Sequence, residues 1–241
     1  MIQLKVLGSS SSGNCYILES DTEALIIEAG VELINVKRAL QYNMRKIVGC
    51  IVSHSHNDHA RYLPDISKAC VPIYALQDVI DAKHITRRYN AVQALKAYNI
   101  GGFKIIPFNV KHDVPCLGYI IEHQECGRIL FMTDTYACPI VCRDISHWLI
   151  EANYADDILE QSIQKGLVTA SMRQRLLMSH MEIENTVQVL LRSDLSKTKN
   201  IVLIHLSSRN SNEARFVERV ERATGKVTYA AEGGMTLKLT R

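Results

Sequence analysis

A chain of 241 residues can bury a substantial core and fits one or two domains. With 47% hydrophobic and 22% charged residues it has the composition of a soluble globular protein, and no apolar run approaches the ~20 residues that span a bilayer. A formal charge of +3 is too small to mark a nucleic-acid binder by itself, yet it leaves room for a local basic stripe.

Leu4–Leu7, Cys15–Leu18 and Ala24–Glu28 read as short strands, broken at Gly8–Asn14 and at Ser20–Thr22. Leu33, Val36 and Leu40 give Val31–Tyr42 a helical spacing. Gly49–Val52 reads as a short buried strand, Leu63–Ala69 as a helix, Val71–Ala75 as extended and Leu76–Lys83 as helical. Strands are expected over Phe103–Phe108, Leu117–His123, Arg128–Phe131 and Trp148–Ile150. Helices then dominate: Asp156–Gln164, Thr169–Leu177 and Ile183–Leu191. The strand Asn200–His205, the helix Asn212–Ala223 and short strands near Lys226–Ala230 and Met235–Leu239 close the chain. No linker or composition break divides it, so a single domain over 1–241 is expected, and no repeat of fixed period is visible. Strand clusters with short connections favour mixed sheets with helices outside over a doubly wound parallel sheet.

The N-terminal segment Met1–Gly8 is too short and polar for a secretory signal. The seven cysteines are scattered without a Cys-x2-Cys pair, which argues against a zinc ribbon or a thioredoxin-like motif. Cys50 and Cys70 sit among apolar neighbours and are expected to pack as small hydrophobes. Together these features favour a cytoplasmic protein.

The chemistry concentrates in His54-Ser55-His56-Asn57-Asp58-His59, directly after the Gly49–Val52 strand. In an extended segment His54 and His56 point the same way. A helix starting near Asp58 turns Asp58 and His59 toward the same centre. Imidazole nitrogen and carboxylate oxygen suit zinc and its neighbours. His112, Asp134 and His205 each fall at the end of an expected strand or in the turn after it, where they can complete a site for two metals.

This set resembles the five sequential motifs of the metallo-β-lactamase superfamily, with Glu28 near the first. The resemblance implies an α/β fold, a four-layer αββα sandwich of two mixed sheets with helices outside and metals in a cleft at one sheet edge. It implies two divalent ions, Zn2+ foremost, with Mn2+ or Fe2+ also suited to these ligands. His54, His56 and His112 would hold the first, Asp58, His59 and His205 the second, and Asp134 would bridge them. Secreted lactamases differ in carrying a signal and a Cys at the fourth motif. Flavodiiron proteins differ in having Glu where His56 stands, and glyoxalase-II enzymes in ending with a helical region.

Leu203–Asn210, Glu151–Tyr154 and Met178–Glu182 resemble segments of RNase Z-like and YycJ/WalJ-like proteins. Leu7–Tyr16 and His112–Tyr119 are very like the YycJ/WalJ-like pattern. That branch implies a 5′→3′ exonuclease-like activity on DNA, with hydroxide held between the metals as nucleophile, nucleic acid as partner and no membrane. The short stretch between His112 and Asp134 leaves no room for the tRNA-gripping arm of RNase Z. Glu28 is one methylene longer than the Asp usual in this Asp-Ala-Gly segment.

In the expected mechanism Asp58 steers the hydroxide and His180 protonates the leaving oxygen, oriented by Glu151. Alternatively, His180 merely stands at the N-terminus of a helix over Glu182–Leu191, with Ser179 as its cap. Ser9–Ser12 with Gly13 form a polar turn suited to phosphate, with Ser10, Ser11, Ser12 and Asn14 as candidate contacts, and Ser207, Ser208 and Arg209 follow His205 closely enough to join them. Lys83–Tyr89 is the best basic stretch, with one aromatic able to stack on a base, and reads foremost as a solvated helix face. Three other functions fit the same residues: a small-molecule thioester, lactone or cyclic-phosphodiester hydrolase, an RNase Z-like RNA endonuclease, and a metal-binding regulatory protein with weakened catalysis.

Overall fold

A computed structural model describes residues 1–138 and 140–241, with Ala170 described by its backbone alone. The first half opens as an antiparallel meander of β1 (Ile2–Ser10), β2 (Gly13–Glu19) and β3 (Ala24–Ile27). Helical crossovers then add parallel strands. α1 (Leu33–Ala39) leads to β4 (Ile47–Ile51), α2 (Asn57–Ala60) and α3 (Leu63–Lys68) lead to β5 (Ile73–Ala75), and α4 (Gln77–Ala82) leads to β6 (Tyr89–Ala91).

The second half repeats this plan. β7 (Tyr98–Ile100), β8 (Phe103–Val110), β9 (Cys116–His123) and β10 (Gly127–Met132) pair antiparallel. β11 (His147–Glu151) joins β10 in parallel, and α5 (Asp156–Gln164), α6 (Ala170–Ser179) and α7 (Ile183–Leu191) precede the parallel β12 (Asn200–Ile204). α8 (Glu213–Thr224) crosses to β13 (Val227–Ala230), and β14 (Thr236–Leu239) returns to pair with β1. The result is two mixed seven-stranded sheets, ordered β14-β1-β2-β3-β4-β5-β6 and β13-β12-β11-β10-β9-β8-β7.

Burial explains the strand sequences. β3, β11 and β12 are buried along their whole length, and apolar residues run unbroken through β3, through the middle of β11 and through β12 after Asn200, as burial on both faces favours. Leu4, Leu18, Leu25, Ile105, Ile121, Phe131, Leu149 and Val202 fill the space between the sheets. Val36, Leu63 and Val79 seal the outer face of the first sheet, and Val187, Leu190, Phe216 and Val220 that of the second. These four layers are the αββα sandwich expected above. α8 shows how one outer helix is fixed. Asn212 caps its N-terminus by accepting from Arg215 N, Phe216 and Val220 bury one face, and Gly225 at φ +65° ends it.

Several local expectations are corrected. Gly8–Asn14 is not a break but a paired hairpin around Ser11 and Ser12, because β1 and β2 go on pairing, past a register shift between Val6 and Gly8, as far as Ser10 and Gly13. α1 stops at Ala39, since Gln41 and Tyr42 adopt left-handed backbone at φ +50° and +63°. Lys83–Tyr89 is a turn running into edge strand β6, not a helix face. Cys70 is exposed in a left-handed turn.

Candidate metal centre

The site residues gather at one edge of the sandwich, where the parallel strands end, the usual ligand-binding position in sheets of this kind. Glu28 follows β3, His54 follows β4, His112 follows β8, Asp134 follows β10, Glu151 ends β11 and His205 follows β12. Three of these strand ends are turned by left-handed backbone at non-glycine residues: Glu28 (φ +67°), Asp134 (φ +48°) and His205 (φ +55°). Such conformations cost of order 1 kcal/mol or more each, and packing must hold them. Here they swing each side chain off its strand and into one cluster.

His54, His56 and His112 form one group and Asp58, His59, Asp134 and His205 a second. Asp134, Glu151, His180 and His205 form a third that shares two members with the second. His56 Nδ1 and His112 Nε2 are 3.2 Å apart, and His54 Nε2 is 3.4 Å from Asp134 Oδ2. Asp58 Oδ2 lies 3.3 Å from Nε2 of both His59 and His205. Two atoms about 2.0–2.1 Å from one tetrahedral ion stand about 3.3–3.4 Å apart, so these spacings are those of ligands around a shared cation. His54 Nε2 is buried without a hydrogen-bond partner, which an apolar or purely hydrogen-bonded site would not tolerate. Glu28, Asp134 and Glu151 are buried and Asp58 nearly so, and among the described residues no lysine or arginine pairs with any of them. Buried carboxylates at this density need cations, and the donor set fits divalent metal ions.

The outer hydrogen bonds fix which nitrogen faces inward. His112 Nδ1 donates to Ser179 O at 3.1 Å, and His205 Nδ1 donates to Glu151 Oε1 at 3.0 Å, leaving each Nε2 for the centre. Ser53 Oγ is 2.9 Å from His54 Nδ1. Glu28 stands behind His59, its Oε2 3.5 Å from Nδ1, and is held by Ser53 N. The longer Glu28 side chain therefore reaches its neighbour's ring despite the extra methylene. Burial pushes His54 and His112 below the usual imidazole range, so both present lone pairs. For His59 and His205 burial opposes the charge, but Asp134 and its fellow carboxylates outweigh it. They raise His59 well above its usual value and His205 to about 9. Metal uptake replaces such protons.

His180 and Glu151 meet as expected: His180 Nδ1 is 2.8 Å from Glu151 Oε1 and 3.0 Å from Asp134 Oδ1. Burial disfavours its charge, yet these carboxylates hold His180 up to about 10. Ser179 does not cap the following helix. It ends α6, while Glu182 caps α7 by accepting from Glu184 N and Asn185 N. Ser10, Ser12, Ser207 and Ser208 line one cavity of about 480 Å³ beside the site, joining two segments far apart in sequence. Ser11 and Arg209 are exposed outside its lining. Asn14 lies outside that lining. It is fully buried, and its amide donates to Ser10 O and lies 3.1 Å from His59 Nε2. Ser9, part of the expected phosphate turn, also ties the hairpin to the site: its Oγ accepts from His205 N at 2.9 Å, a contact the sequence does not signal. A larger cavity, about 920 Å³ and lined by Lys104, Arg128, Lys197 and Lys199, lies at the opposite end of the strands. It is remote from this chemistry.

The Beta-lactamase superfamily domain model matches residues 24–206, from β3 to just past His205. The chain belongs to the metallo-β-lactamase superfamily. It is a superfamily hydrolase with a His/Asp metal-binding site. Among curated superfamily relatives, Exodeoxyribonuclease WalJ of Streptococcus pneumoniae is 25% identical over 224 residues, 86% of this chain and 82% of that protein. Exodeoxyribonuclease YycJ of Bacillus anthracis is 24% identical over 226 residues, covering 87% and 84%. The metallo-β-lactamase fold protein YhfI of Bacillus subtilis superposes with a TM-score of 0.77 at 15% identity, over 99% of this chain and 100% of that one. Among the described residues no helix of this superfamily member is long and apolar enough to cross a membrane.

Proposed function

We propose that this chain is a metal-dependent nuclease that hydrolyses DNA phosphodiesters from an end, in the 5′→3′ direction. The carrying observation is His180, held against the carboxylate cluster by Glu151 with Nδ1 engaged, which leaves its other ring nitrogen for a leaving oxygen. The two exodeoxyribonuclease relatives, which match most of the chain, support DNA as the substrate. His54, His56 and His112 would hold one divalent ion, Asp58, His59 and His205 another, with Asp134 between them. Zn2+, Mn2+ or Fe2+ suits this donor set. When bound, such a pair supplies hydroxide near neutral pH and screens the phosphate charge.

The chain's own groups do the rest. With Asp58 Oδ2 placed between His59 and His205 among the ligand atoms, the other oxygen of this carboxylate accepts a hydrogen bond from the attacking water and sets its direction. Ser10, Ser12, Ser207 and Ser208 offer hydroxyl donors to phosphate oxygens in the cavity next to His205. His180 gives its proton to the departing oxygen, and Glu151 fixes the ring that does so. Thr135 N and Met181 N in turn hold Glu151 Oε2.

The test is digestion of end-labelled linear duplex DNA and of covalently closed circles, with Mn2+ or Zn2+ added. Loss of the linear duplex with intact circles is expected. Cleavage of neither overturns the nuclease reading in favour of a small-molecule hydrolase.

A further inference from the structure

One cation and one aromatic ring stand beside the metal centre without a part in the chemistry above. Lys111 immediately precedes His112, and Tyr136 lies two residues beyond Asp134. Lys111 Nζ is 5.9 Å from the centroid of the Tyr136 ring, within cation–π range. Tyr136 is 39% exposed, unlike Tyr16 and Tyr119, which are buried in the core.

The pair is firmly held. Thr135 is fully buried, and its Oγ1 accepts from Lys111 N at 3.1 Å and donates to Ala137 O at 2.8 Å. Thr135 N donates to Glu151 Oε2 at 3.2 Å. One residue thus locks the backbone on both sides of the pair to the carboxylate that holds His180 and His205. An exposed ring on a fixed backbone is pre-organised for contact, with little ordering left to do on binding.

We infer that Tyr136 and Lys111 form a nucleotide subsite at the rim of the centre, a reading that rests on the proposed nuclease function. Tyr136 stacks on the base adjoining the scissile bond, and Lys111 leaves the ring face to pair with that nucleotide's phosphate. A π face beside a cation matches the two halves of a nucleotide, and stacking accepts every base, as degradation from an end requires. A small substrate without a base gains nothing from this pair.

The test uses the metal-loaded protein and duplexes whose end nucleotide is normal, abasic or 2-aminopurine. Binding to a phosphorothioate-protected 2-aminopurine end should quench its fluorescence, and Tyr136→Ala should abolish the quenching while Tyr136→Phe retains it. On normal ends Tyr136→Ala should lower kcat/KM about 10- to 100-fold, as expected for one lost stack. An abasic end should lower the wild type by the same factor and Tyr136→Ala no further. Tyr136→Leu, which keeps apolar bulk without the π face, should behave as Tyr136→Ala. Lys111→Gln should reduce the slope of log affinity against log salt by about one. Quenching and cleavage unchanged in Tyr136→Ala, or an equal further loss on abasic ends, overturns the subsite and leaves the nuclease reading standing. A wild type that cleaves no DNA end overturns both.

Discussion

His180 and His205 share a single oxygen, Oε1 of Glu151, at 2.8 and 3.0 Å. Their rings stack with centroids 5.3 Å apart. The similarity ends there. His205 is buried and sends Nε2 toward Asp58, whereas the His180 side chain keeps 23% of its surface. His180→Ala should therefore retain bound metal and lose turnover by about 10²–10⁴-fold, the usual worth of a general acid. Unchanged turnover on DNA ends contradicts the proton-donor role. The sequence made these side chains legible in unequal measure. The ligand candidates at 54–59 were visible because four donors fall in one short segment. Ser9 and Asn14 carried no such signal: what they do depends on the hairpin meeting β12 and α2, a long-range contact that no local pattern encodes.

At the scale of elements, the turn after β3 braces α2. Ala29 N donates to His59 O at 2.7 Å, and Gly30 N donates to Asn14 O at 2.9 Å. A Cβ on Gly30 would stand 1.8 Å from Asp58 O and 2.6 Å from Asn14 N, both backbone atoms that cannot swing aside. Gly30→Ala should push α2 away, lowering metal affinity at least tenfold and melting temperature by several degrees. Metal titration followed by thermal melting reads both, and wild-type values in each would contradict the bracing. The Ala-Gly pair after Glu28 was plain in the sequence, but the need for glycine there appears only when α2 is packed on it. Long apolar strands such as β11 and β12 were likewise legible, because burial on both faces favours a continuous apolar run. β6 and β7 were not. Each has three residues, and β6 is exposed throughout, so backbone pairing with β5 alone defines it.

The whole molecule places two meander-and-crossover halves face to face, and each half delivers part of one centre. Glu28, His54, His56, Asp58 and His59 come from the first sheet, and His112, Asp134, Glu151 and His205 from the second. Ions held between them would cross-link the halves, so binding should also raise stability by mass action. Asp134 is the hub: its Oδ2 lies 3.4 Å from His54 Nε2 and 2.6 Å from His59 Nε2, one residue from each proposed ligand set. The most direct measurement is elemental analysis of the protein after metal loading and removal of free ions. About two equivalents of transition metal per chain are expected, falling to about one or fewer in Asp134→Asn. Absence of bound transition metal from the loaded wild type would contradict a dinuclear centre.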